Sequence, residues 1–197
     1  LATGKLHSRQ PGDLYDVTMD TLPEDWPRFS RKLRAARGEG GKIDIAARFE
    51  TRRNRSFEYV QSPNSGLIEL DEQPPLSHDE SALDIALTTS ALLNAKPVSL
   101  LQTMRKTVVD GSNTSGFQRT TLISTGGTLE TPSDPVGISV VCLEEDSARK
   151  LDTYTTDMGE CVIYNLDRLG LPLIEIATDP DVKTPEHAKE TSIALGR

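Results

Sequence analysis

"VGISVVCLEEDSA", residues 136–148, reads as a β-strand whose apolar run ends in acids. β-branched residues fit a pleated surface, and successive side chains of a strand point to opposite faces. On that period Ile138, Val140, Cys142 and Glu144 share one face, and Val141, Leu143 and Glu145 share the other. "YNLDRLGLPLIEIATDPD", residues 164–181, repeats the habit. Leu171, Leu173 and Glu175 fall on one face, so Glu175 points where leucines point, and Asp167, Arg168, Asp179 and Asp181 bracket the run. An ionised carboxylate on an apolar face needs a cation. That cation is either a metal, shared by Glu175 with Glu144 or Glu145, or an arginine such as Arg168, paired with Glu175 or Asp167. For Glu144, Glu145 and Asp146 a solvated strand end is the plainer alternative. The shared pattern predicts that one of the two adjacent glutamates lies near Glu175.

The flanking segments make the fold class α+β: a mainly antiparallel sheet with helices on one side. "LPEDWPRFSRKLRAARGEGG", residues 22–41, suggests a basic helix stopped by its glycines. "KIDIAARFE", residues 42–50, alternates Ile43, Ile45, Ala47 and Phe49 with polar residues, the period of a half-buried strand. "TRRNR" then turns, and "SFEYVQS" returns as its hairpin partner. Ser77 and Glu80 have the spacing of a capping box and open a helix to about Asn94. Leu83, Ala86, Leu87, Ser90 and Leu93 share a face of that helix, and Pro97 stops it. "FQRTTLISTGGTLETP", residues 117–132, reads as a strand entering a Gly126-Gly127 turn, and "ECVIYNLD", residues 160–167, as a further strand. Residues 98–181 are thus expected to supply several strands of one antiparallel sheet. "LATGKLHSRQPGDLYDV", residues 1–17, carries no complete element and reads as the middle of a unit.

Composition sets limits on function. The chain has 197 residues and the apolar and charged content of an ordinary globular protein. No apolar run is long enough to cross a bilayer as a helix and no signal-peptide layout opens the chain, which points to the cytoplasm. A net charge of −8 argues against a surface that grips nucleic acid without specificity, so any RNA contact is local. Cys142 and Cys161 lack metal-ligand spacing and read as buried thiols. His78 reads as a helix cap, His187 as solvent-facing, and His7 is undetermined.

"DGSNTSGFQRT", residues 110–120, packs small and polar residues ahead of a strand. It is either an ordinary surface turn or a backbone loop that approaches a ligand closely, with Arg119 on the adjoining strand reaching phosphate. The phosphate loop, dinucleotide fingerprint and nucleophile-elbow motifs are all absent, so nucleotide phosphates would be held through carboxylate-bound Mg²⁺ and arginines.

In this order, "VVDGSNTSGFQRT", "LEEDSA", "YNLDRLGLPLIEIATDPD" and "PEHAKE" resemble the GatB/GatE family of tRNA-dependent amidotransferases. The "SNTSGFQRT" form and "SALDIALTTSALLNAKPVSLLQTMRK" resemble its archaeal GatE branch, so the likeness covers most of the chain. It implies that residues 1–197 are part of a catalytic cradle domain of glutamine synthetase-like fold, with a curved antiparallel sheet that binds ATP and Mg²⁺. It further implies that Glu144, Glu145 and Glu175 are metal-site carboxylates and that Arg168 holds phosphate or fixes them. Ser112, Asn113, Ser115 and Gly116 of the loop and Arg119 of the adjoining strand are expected to meet the nucleotide.

The implied reaction phosphorylates the glutamate carried by Glu-tRNA(Gln) and replaces phosphate with ammonia, giving Gln-tRNA(Gln). A partner amidase of the glutaminase/asparaginase-like GatD type would supply the ammonia. No role for DNA or membrane is expected. The family's N-terminal strand, with its Glu-x-His metal pair, would precede residue 1, and "HSRQPG" stands where relatives carry cysteines. Inserted, helical and tail domains would follow Arg197. Two rivals remain: a non-catalytic RNA-binding or assembly module using Arg48, Arg52, Arg53 and Arg55, and a GatB-type enzyme that also acts on Asp-tRNA(Asn).

Overall fold

A computed structural model describes residues 4–32, 37–38, 40–157 and 159–196. The chain runs β1 (Arg28–Lys32), α1 (Ile45–Thr51), β2 (Ser56–Val60), α2 (Glu80–Leu92), β3 (Lys96–Pro97), β4 (Thr103–Thr107), β5 (Phe117–Leu129), β6 (Val136–Glu145), β7 (Arg149–Thr156), β8 (Gly159–Asn165), β9 (Pro172–Thr178) and α3 (Pro185–Leu195). The fold is α+β, but its strands form two sheets. One has the order β1-β2-β8-β7, antiparallel except where β2 lies parallel to β8. The other has the order β3-β5-β6-β9, with β4 also paired to β5, and is antiparallel throughout. Of the strands between residues 98 and 181, β4, β5, β6 and β9 therefore share a sheet, while β7 and β8 belong to its neighbour.

Helix α2 covers one face of the second sheet. Ala82 and Ala86 bring it close to Ile123 of β5 and Leu143 of β6, with Leu6 filling the same cluster. Further along, Leu93 and Ala95 pack on Ile138 and Val141, flanked by Ile174 and Ile176 of β9. Ile138 and Val141 can share that cluster because the β6–β9 register slips between Ile138 and Val140. Strict alternation along β6 is broken there, so Ile138 sides with Val141 and Leu143 rather than with Val140, Cys142 and Glu144. On β9 the core residues are Ile174 and Ile176, and Leu173 and Glu175 lie on the opposite, exposed face. Glu175 does share a face with Leu173, but that face is exposed rather than buried.

Several local expectations change. Residues 28–32 are an edge strand, not a helix: Phe29 packs on Tyr59, and Arg31 donates to the Leu70 carbonyl. Residues 33–36 and 39 of the expected basic helix lie outside the described residues. Residues 45–51 are a helix, not a strand, because Asp44 Oδ1 accepts from the Ala46 and Ala47 amides and so caps its start. Ala47 and Glu50 are buried, while Ile45 and Phe49 are exposed, the reverse of a half-buried strand. β2 consequently pairs with β1 and β8.

The cap of α2 is Asp79, whose Oδ1 accepts from the Ala82 amide at 3.0 Å, so Ser77 stands outside the helix. Gly126 and Gly127 lie within β5. There the Thr128 amide donates to the Leu93 carbonyl, and a side chain at Gly127 would collide with that oxygen. His78 does not cap the helix but bonds Thr121 Oγ1 at 2.7 Å beside His7. His187 is buried, its ring nitrogen on the Asp134 carbonyl. Both cysteines are free and buried.

Candidate active site

On the face of the second sheet away from α2, carboxylates of two strands converge on one ammonium. Register places Thr120 of β5 opposite Glu144 of β6, and Glu175 of β9 opposite Cys142. Lys106 reaches over from β4, its Nζ 3.0 Å from Glu144 Oε1 and 2.7 Å from Glu175 Oε2. The Thr120 hydroxyl donates to the same Glu144 oxygen at 2.8 Å. Glu144 is buried, and the Glu175 side chain is 46% exposed. The hydrogen bond from Lys106 holds the Glu175 carboxyl below the usual carboxylate range and, reciprocally, raises the lysine. Burial, reinforced by the two acids, pushes the Cys142 thiol up and keeps it neutral.

Glu145 turns the other way, toward α2 and the space between the sheets. Arg119 of β5 meets both of its oxygens at 3.0 and 3.2 Å and rests near the Phe117 ring. Burial raises the Glu145 carboxyl, with Arg119 opposing the shift. Lys5 and Glu69 are buried nearby, and Lys5 Nζ donates to the Leu166 carbonyl at 3.2 Å. Desolvation lowers Lys5 to about 8, against the pull of Glu69, Asp167 and Glu145. The void between Glu69, Asn113, Arg119, Glu145 and Gly170 is about 10 Å³, room for a single water at most. Arg119, expected as a phosphate contact beside the loop, is thus committed to a carboxylate.

The loop 110–116 is fixed by aromatic residues of the first sheet. Tyr59 Oη donates to the Gly111 carbonyl at 2.6 Å, and Tyr164 Oη donates to the Asp110 carbonyl at 2.8 Å. Gly111, with φ +85°, lies against the Phe57 ring where a Cβ would clash. Inside the loop, Ser112 bonds Asp110, Ser115 Oγ bonds the Phe117 carbonyl and the Gly116 amide bonds the Asn113 carbonyl. Asn113, Ser115 and Gly116 line a cavity of about 200 Å³ together with Arg31, Lys32, Phe57, Tyr59, Asp71 and Glu72.

The sequence motifs meet through Asp146. Arg168 donates to its Oδ2 from Nε at 2.9 Å and Nη2 at 2.7 Å, so the arginine pairs with neither Glu175 nor Asp167. Asp167 is buried and is held by Arg149 and the Tyr15 amide. The Asp146 backbone exchanges hydrogen bonds with Leu171 and Gly170, the Ala148 amide donates to the Ser112 carbonyl, and Ser147 Oγ bonds Asn113. Of the residues singled out by sequence, Glu144 and Glu175 share one cation. Glu145 and Arg119 pair on the opposite face, and Arg168 pairs with Asp146, the residue after Glu145. Lys106, Thr120, Lys5, Tyr59 and Tyr164 join the site without having stood out in the sequence. Period-2 spacing could have put Lys106 on an exposed strand face, but only the cross-strand register brings it to Glu144.

Residues 46–197 match the family described as the GatB/GatE catalytic domain. The chain belongs to that family. Among its relatives are proteins named as the E-type subunit of glutamyl-tRNA(Gln) amidotransferase, here written GatE. The chain is 47% identical over 196 residues to the GatE of Thermoplasma acidophilum, an alignment covering 100% of this chain and 31% of that protein. It is 49% identical over 178 residues to the GatE of Sulfurisphaera tokodaii, covering 90% of this chain and 28% of that protein. The GatE of Pyrococcus furiosus is 46% identical over 197 residues, covering 100% of this chain and 30% of that protein. Within GatB/GatE the likeness runs to GatE, as the "SNTSGFQRT" segment suggests. The chain spans about three tenths of the length of these relatives. Among the described residues no helix is long and apolar enough to cross a membrane.

Proposed function

We propose that the protein to which this chain belongs is an ATP- and Mg²⁺-dependent amidotransferase subunit that converts Glu-tRNA(Gln) to Gln-tRNA(Gln). It would transfer the γ-phosphoryl group of ATP to the side-chain carboxylate of the tRNA-borne glutamate. Ammonia from a partner amidase of the GatD type would then displace phosphate. The observation that carries this reading is the convergence of Glu144 and Glu175 on one cation position. The names of the relatives supply the substrate.

The donor set fits a hard cation. Both ligands are carboxylates from adjacent strands, and among the described residues no group of three or more His, Cys, Asp or Glu forms a closed cage. Mg²⁺ is commonly held by one or two carboxylates, with phosphate and water completing its shell. Bound there, it would neutralise charge that builds up between two anions during phosphoryl transfer. Thr120 orients Glu144 by hydrogen bonding, and the edge position of Glu175 leaves its carboxylate open to solvent and ligand. Arg168, 45% exposed and anchored on Asp146, would offer its guanidinium to an anionic substrate.

The test is Glu175→Gln in the full-length protein with its partner amidase. Amidation of Glu-tRNA(Gln) with free ammonium should fall by about 10² or more, the scale seen when a preorganised charge at such a site is lost. Glutamine hydrolysis by the partner should persist. A folded variant that forms Gln-tRNA(Gln) at the wild-type rate with ammonium would overturn the role of Glu175.

A further inference from the structure

Glu144 and Glu175 meet a cation that the chain itself supplies, and the partners differ in what each tolerates. The Glu144 side chain is only 5% exposed, and a buried carboxylate is best kept beside a positive group. Lys106 is 47% exposed and stands on β4, which among the described residues pairs with β5 alone. An ammonium so placed regains its hydration on leaving, and its pair with Glu175, exposed on both sides, contributes little to stability. The position always requires positive charge, and lysine is an occupant that departs easily.

Charge makes the alternatives exclusive. Two carboxylates and one ammonium leave a net negative charge, and a divalent cation in the ammonium's place leaves none. Both cations together would repel at a few ångströms. Thr120 keeps Glu144 in position whichever cation is present, since its hydroxyl donates to the oxygen that Lys106 contacts.

We infer that Lys106 is a displaceable counter-ion: it holds Glu144 and Glu175 together until a divalent cation takes its place. Its released ammonium, tethered at the sheet edge, is then a ligand for the anion that accompanies the cation. This rests on the reading of the two acids as cation ligands. It also sets an affinity cost, because the apparent affinity falls with the fraction of molecules whose acids are free. If lysine holds the pair in about nine molecules of ten, the apparent Kd is raised about tenfold.

Mn²⁺ is the probe, titrated by electron paramagnetic resonance into the full-length protein with its partner amidase and without nucleotide. Lys106→Met should bind Mn²⁺ about tenfold more tightly than wild type, and adding Glu175→Gln to it should remove that gain. Lys106→Gln repeats the comparison without charge if the methionine variant misfolds. Equal or weaker binding by both lysine variants, with loss on Glu175→Gln, overturns the exchange and leaves the two acids as cation ligands. Mn²⁺ binding that ignores Glu175 in every background overturns both.

Discussion

Glu144 and Glu145 are adjacent in sequence and face opposite sides of one sheet, the first bound to Lys106 and Thr120, the second to Arg119. Their losses should differ. Glu145→Gln leaves Arg119, 12% exposed, without its anion, and breaking a buried pair from one side costs about 3–5 kcal/mol. Glu144→Gln leaves Lys106 half exposed and still paired with Glu175, so its cost should be smaller by about 2 kcal/mol or more. Denaturant unfolding of the two variants side by side measures the gap. Equal costs would contradict the assignment of faces.

The loop 110–116 should loosen when its aromatic supports are cut. Tyr59→Phe and Tyr164→Phe each strip a donor from a loop carbonyl, which costs about 1–3 kcal/mol when the carbonyl is left unsatisfied. Hydrogen exchange across residues 110–116 should quicken in both variants. Gly111→Ala should be worse, at about 2 kcal/mol or more, because it adds left-handed strain to a clash with Phe57. Unchanged exchange in both tyrosine variants would mean that the loop is held by its internal bonds alone.

The start of α2 offers a clean comparison. Asp79→Ala should cost about 1 kcal/mol through loss of the bond to the Ala82 amide. Ser77→Ala should cost nearly nothing. Thermal melts of the pair decide between the two capping residues.

Much of the site is legible in the sequence because a carboxylate that ends an apolar strand run stands out against a period of two. That signal marks Glu144, Glu145 and Glu175. Alternation tells which side chains share a face but not which face is covered, so it groups Glu175 with buried leucines when Leu173 is itself exposed. The slip between Ile138 and Val140 is equally silent in sequence, since no proline or diagnostic residue demands it. α1 imitates a strand because Ile45, Ala47 and Phe49 satisfy a period of two, whereas in the helix Ile45 and Phe49 share the exposed side and Ala47 faces inward, and the Asp44 cap is what tells the two apart. Lys106 lies beyond reach for another reason. Its partners are 38 and 69 positions away, and only pairing order joins them.

The stability of the protein should carry a basic-range pH signature from Lys5. Its folded value of about 8 lies below the ordinary 10.5, so between those limits the unfolded chain binds a proton that the folded chain lacks. Stability from this group therefore rises with pH across that window and is level above it. Lys5→Met should flatten the rise, as read from urea midpoints at several pH values in that interval. A slope unchanged by the substitution would place its origin elsewhere.

The chain passes between the sheets at 146–148 and again at 166–171, and these two crossings are bonded to each other through Asp146. Glu144 and Glu145 stand just before the first crossing and Arg168 lies within the second, so the acids and the join between the sheets share one set of bonds. A substitution of Asp146 that frees Arg168 would loosen both at once.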